Sequence, residues 1–164
     1  MSTRTKQGST LFLRITVVVL GLIALGLCAL VLPAIYTGWQ DAYPEVAYLQ
    51  YPALLILSAT VVPFFIALAQ TLKLLDYVDK GEAFSELSIK ALGKIKYCAV
   101  AFSCLYAMFL PINYLIVQKV DAPGLMGIGI TMTAAPIVIA VFATVLQKLL
   151  QNAIDIKSEN DLTV

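Results

Sequence analysis

Histidine is absent from this chain, and with it go the commonest metal ligand and the usual general base near neutral pH. Charge is scarce too. Asp, Glu, Lys and Arg make up 13% of the 164 residues, and their formal balance of +1 provides no basic field to gather nucleic acid. Cysteine is limited to Cys28, Cys98 and Cys104. Each lies inside or at the edge of an apolar run, at spacings that match no zinc pattern, so they read as small core residues. No phosphate loop and no nucleophile paired with a base is present. The expectation is a non-enzymatic protein with no catalytic residue, cofactor or metal.

What is abundant is apolar surface: 60% of the residues are hydrophobic, outside the range of ordinary soluble domains. Residues 15–35 carry no charge and include thirteen Ile, Leu or Val. At about −0.3 to −0.6 kcal/mol each, these favour insertion by about 4 to 8 kcal/mol before polar offsets. The run is longer than the about 7 to 15 residues of a signal-peptide core and no A-x-A-like site follows, so it reads as a retained span. Comparable spans fall at 53–72, 97–118 and 124–147. The fold expected is all-α, a single domain of four transmembrane helices bundled together, with a connector at 73–96 and a tail at 148–164.

Polar residues within the spans are few, and each needs a partner in lipid. Pro63 frees the carbonyl of Ala59, and Ser58 and Thr60 lie close enough to satisfy it or to bond a neighbouring helix. Asn113 is the most polar side chain deep in any span and calls for an interhelical hydrogen bond worth about 0.6 to 2 kcal/mol. Gly127, Thr131 and Ala135 form a small-residue ladder for close helix contact, within one bundle or between two copies. Pro63, Pro111 and Pro136 are expected to kink their helices and could together line a cavity. No span holds a charged residue, which counts against an ion-coupled pump.

Charge fixes the expected topology. Three Lys or Arg precede the first span, five lie in the connector and two in the tail, against Lys119 alone in the two other loops. Such a bias places both termini and the connector in the cytoplasm. The loop after the first span holds Tyr36, Trp39, Tyr43 and Tyr48, an aromatic cluster suited to the headgroup level. In the connector, Asp79, Lys80 and Gly81 signal a turn. Ser85 then reads as an N-cap, flanked by Phe84 and Ile89 as a hydrophobic staple. Lys90, Lys94 and Lys96 can meet anionic headgroups at about 1 kcal/mol each. Asp76, Asp79, Glu82 and Glu86 read as a solvated face. Asp121 is placed to cap the fourth helix, with Pro123 in its first turn. The tail should continue as a helical turn or two before a polar, mobile segment at 158–164, and Asp155, Glu159 and Asp161 could face Lys90 and Lys94.

Two stretches, LLDYVDKGEAFSELSIKALGKIKY and LQKLLQNAIDIKSENDLTV, together with the four-span pattern resemble the bacterial membrane family of the domain of unknown function 2975. Members share a Gly-x-x-Phe-Ser turn before the third span, here Gly81, Phe84 and Ser85. They also share a closing motif, here Ile156, Lys157, Glu159, Asn160, Asp161, Leu162, Thr163 and Val164. The resemblance implies no established activity. It does imply proximity to a gene for a small helix-turn-helix regulator, and hence a membrane protein that holds or controls such a regulator.

The expectation is thus a multi-pass protein of the bacterial inner membrane whose cytoplasmic face, built from those eleven residues, binds a helix-turn-helix partner. Membrane lipid is the second expected partner. The alternatives are a carrier or channel for an uncharged or lipophilic solute, and a sensor of bilayer state or of an apolar ligand.

Overall fold

A computed structural model describes residues 3–42 and 44–162. It contains helices α1 (Thr3–Ala42), α2 (Gln50–Asp79), α3 (Glu86–Val120) and α4 (Pro123–Leu162), with a 3₁₀ segment, Pro44–Leu49, between the first two. No strand occurs among the described residues. Helix is the form a lone segment must take in lipid, because every backbone N–H and C=O has to be satisfied within it. Each helix holds a stretch long and apolar enough to cross a membrane: Thr10–Asp41, Ala47–Asp79, Glu86–Lys119 and Pro123–Asn160.

All four helices outrun the apolar windows read from composition. The 40 residues of α4 span about 60 Å at 1.5 Å each, twice the hydrocarbon thickness of about 30 Å. Consequently the 73–96 connector is mostly the ends of α2 and α3, and only residues 80–85 leave helix. The tail differs from expectation in the same direction. It stays helical to Leu162, since nothing in KSENDL breaks the ladder of α4, and Thr163 and Val164 lie outside the described residues. Asp121 does not cap α4 but ends α3 at φ 51°. The return to Pro123 is so short that one residue must turn left-handed, and Asp tolerates this better than most. The chain then re-enters helix at Ala122, whose carbonyl accepts from the Leu125 N–H at 3.0 Å, with Pro123 at the first helical position.

Helix backbones lie close only between sequence neighbours, α1 to α2, α2 to α3 and α3 to α4, among the described residues, although the Trp39 side chain of α1 reaches Ile116 of α3. Small residues make the contacts. Ala53, Thr60 and Pro63 of α2 are buried, as are Ala91, Ala99 and Ser103 of α3 and Ala140 and Ala143 of α4. Along α4 the inward stripe is Gly129, Thr133, Pro136, Ala140, Ala143 and Gln147. Spacings of three and four give the near-3.5 repeat of left-handed helix pairs.

Two glycine–amide pairs hold α3 against α4. The Asn113 Nδ2 donates to the Leu125 carbonyl at 3.1 Å, and a Cβ on Gly129 would sit 2.4 Å from that nitrogen. At the other end the Gln147 Nε2 donates to the Ile89 carbonyl at 2.9 Å, and a Cβ on Gly93 would sit 2.9 Å from it. Eighteen residues separate Gly129 from Gln147, so the pairs lie about 27 Å apart along α4, a distance close to the hydrocarbon thickness of about 30 Å. The interhelical bond expected of Asn113 is present. The Gly127–Thr131–Ala135 ladder is not used inside the bundle: all three are exposed, and the Thr131 hydroxyl bonds its own helix at the Gly127 carbonyl, 2.8 Å away.

Helix α1 is the most loosely held. Gly21 lets it approach α2, since a Cβ there would lie 2.6 Å from Leu68. At one end Trp39 packs with Ala53 and Ile116, and the buried Gln50 donates to the Tyr36 carbonyl at 2.6 Å. At the other end Arg14 bonds Asp76 and, at 2.9 Å, Asp79. Those two acids occupy the last turn of α2, where helix polarity disfavours negative charge, and the guanidinium offsets it.

Candidate functional site

The turn between α2 and α3 is built by local rules. Lys80 ends α2 and Gly81 follows at φ 76°, with its N–H on the Val78 carbonyl at 3.1 Å and the Glu82 N–H on the Tyr77 carbonyl at 2.8 Å. This is the paired bonding of a Schellman stop, which a left-handed glycine permits. Ser85 opens α3 in extended conformation, and its hydroxyl accepts the Ser88 N–H at 3.3 Å. The Ser88 hydroxyl, fully buried, donates to the Glu82 carbonyl at 3.2 Å and ties the turn shut. The N-cap read from sequence is therefore confirmed. Gly81 and Ser85 have structural duties, whereas Phe84 is 65% exposed.

The outer part of α4 lies at the same end of the molecule. Leu150, Ala153 and Ile154 are half-buried, but from Asp155 to Asn160 every residue is exposed, Ile156 by 61%. Ile156, Lys157, Glu159 and Asn160 thus share an exposed helical arm that Asp161 and Leu162 continue. Leu162 stands about 22 Å beyond Gln147 along the helix. Asp155 and Lys90 have partners other than those read from sequence, and the Asp161 side chain lies outside the described ones. Asp155 accepts from Gln151 at 3.0 Å within α4, and Lys90 faces Glu86 at 4.0 Å within α3.

Lys90 and Lys94 are exposed on the first turns of α3, and the half-buried Lys96 places its amine 5.4 Å from the Tyr97 ring centre. Deeper in, Ser58 and Thr60 do not serve the Ala59 carbonyl. The Ser58 hydroxyl donates to the carbonyls of Leu54 and Leu55 at 2.7 and 3.0 Å, and that of Thr60 to Leu57 at 2.6 Å. A short hydroxyl reaches back to its own preceding turn more easily than forward to a proline-freed carbonyl. Of the three polar residues singled out from sequence, only Asn113 reaches another helix. Gln50, Gln147 and Arg14 do so as well and were missed, because each marks the end of an apolar run and reads as a boundary. The acidic cluster also divides: Asp76 and Asp79 belong to the Arg14 clamp.

Two cavities, of about 280 and 430 Å³, lie along α1 where it stands away from α4. None of Pro33, Pro63, Pro111 and Pro136 lines either one.

Fold and composition define a polytopic α-helical membrane protein. More particularly, the chain belongs to the family described as protein of unknown function (DUF2975), which it matches over residues 35–164. The matched region takes in α2, α3, α4 and the last turns of α1. The uncharacterized membrane protein YoaS of Bacillus subtilis (strain 168) is 50% identical over 156 residues, covering 95% of this chain and 98% of its own. No solved structure matches.

Proposed function

We propose that this is a non-enzymatic protein of the bacterial inner membrane that docks a partner protein on its cytoplasmic face, formed by the 81–85 turn and the outer part of α4. The observation that carries the reading is the exposed helical arm beyond Ile154, on the same end as an exposed Phe84. An exposed aromatic near an exposed helical arm is the type of anchor protein interfaces use. The ten Lys and Arg gathered at this end support a cytoplasmic orientation. A small helix-turn-helix regulator is the candidate partner that the family resemblance implies.

The test is to remove residues 158–164 and, separately, to make Phe84→Ala, then follow the regulator encoded beside the gene through membrane fractionation. Loss of the regulator from membranes in both variants is expected; undiminished recovery in both rejects the docking face. Orientation is tested independently by a cysteine at Ser158, which an impermeant thiol reagent should reach only in opened cells.

A further inference from the structure

The two cavities form one groove. Both are lined by Val31 of α1 and Leu57 of α2, so they adjoin. Because α1 makes no backbone contact with α3 or α4, the groove opens sideways, toward the bilayer rather than toward water. We propose that it holds one acyl chain of a membrane lipid, with the lipid's uncharged ester region beside Asn113 and Trp39 and the chain running toward Ala24.

The lining selects this occupant. It contains no charged side chain, so a charged ligand would lie desolvated and unpaired. The larger cavity holds Asn113 and Trp39, at the end where α1 leads toward the 3₁₀ segment, while the smaller is walled mainly by Leu27, Phe64, Phe102 and similar groups, with the hydroxyl-bearing Thr60 and Tyr106 among them. Asn113 spends one amide hydrogen on Leu125, and its Oδ1 and second hydrogen have no hydrogen-bond partner among the described residues. An ester oxygen can accept that hydrogen; a water could not persist deeper, where the walls are mainly apolar. Size agrees as well. The fifteen residues from Ala24 to Trp39 cover about 22 Å, close to half a bilayer of about 40–45 Å with its interfacial region. Together the cavities reach the range of small-molecule sites, about 300–1,000 Å³.

Trp39 is the single tryptophan of the chain and lines the groove, so it reports on its contents. The purified full chain is placed in nanodiscs of phosphatidylglycerol and phosphatidylethanolamine containing a minor fraction of phosphatidylcholine brominated near the ester end of one chain, and its fluorescence is followed. Quenching that saturates at low brominated fraction is expected for the native protein and for Ala135→Phe, on the outward face of α4. It should be lost in Val31→Phe, which fills the junction of the two cavities. Leu57→Phe, placed at the same junction from another helix, guards against misfolding of the first variant. Quenching that rises in simple proportion to bulk brominated lipid, or that survives in both filled variants, overturns the proposal. So does equal quenching by a brominated fatty acid, whose carboxylate the uncharged lining should reject.

Discussion

Replacing Gly129 by alanine tests the packing of α3 on α4 at a single atom. The added Cβ would lie 2.4 Å from the Asn113 Nδ2 and 3.2 Å from the Leu110 Cδ2. The amide must therefore leave its bond to Leu125, at a cost of about 0.6 to 1.7 kcal/mol in a membrane. Overpacking against Leu110 adds about 1 to 3 kcal/mol, and the better helix propensity of alanine returns about 1. The net expectation is a loss of about 2 kcal/mol. Asn113→Ala alone should cost about 1 kcal/mol, because the Leu125 carbonyl keeps its intrahelical bond. With the amide gone, Gly129→Ala meets only the end of a leucine side chain, and its further cost should fall by the amide's share, to about 1 kcal/mol. The assay is reversible unfolding of all four proteins in mixed micelles, followed by Trp39 fluorescence and helical circular dichroism. If Gly129→Ala costs the same with and without Asn113, within the about 0.3 to 0.5 kcal/mol expected of independent sites, the close approach of amide and glycine is not what holds these helices.

Two further outcomes follow from the basic end of the molecule. Arg14→Gln should couple to Asp79→Asn by no more than about 1 kcal/mol in a double-mutant cycle, because the pair is partly exposed. The same change should nonetheless loosen α1, seen as faster motion of a spin label at Leu11; unchanged motion would show that the clamp does not hold the helix. In the turn, Ser85→Ala should cost about 1 kcal/mol and speed hydrogen exchange at the Ser88 amide, with Ser85→Asp restoring both. Gly81→Ala should cost about 1 to 2 kcal/mol, the penalty of a left-handed residue with a Cβ, and Gly81→Asn less.

Much of the architecture is legible from composition and local chemistry. Four helices are dictated because a chain segment in lipid has no other way to satisfy its backbone, and the Ser85 cap and the Gly81 stop are written in neighbouring residues. Extension of α4 to Leu162 was underestimated because a polar sequence looks like a tail, although a helix already nucleated propagates through it. The resemblance at Gly81, Phe84 and Ser85 and along the end of α4 was also visible in the residues themselves, and it agrees with the family match.

Which face of each helix turns inward was decided only by the tertiary structure. In a soluble protein apolar periodicity marks the buried face, but in lipid a leucine is as well placed outside as inside. Leu20, Leu25, Leu30 and Phe142 point outward while Ala53, Ala99, Ala140 and Gly129 are buried. The ladder at Gly127 was thus indistinguishable from the working contact two residues on. The Arg14 clamp, the paired glycine–amide contacts and the groove along α1 depend on the mutual register of distant helices. Register follows from how closely two backbones can approach, and that is a property of pairs of segments, absent from any one of them.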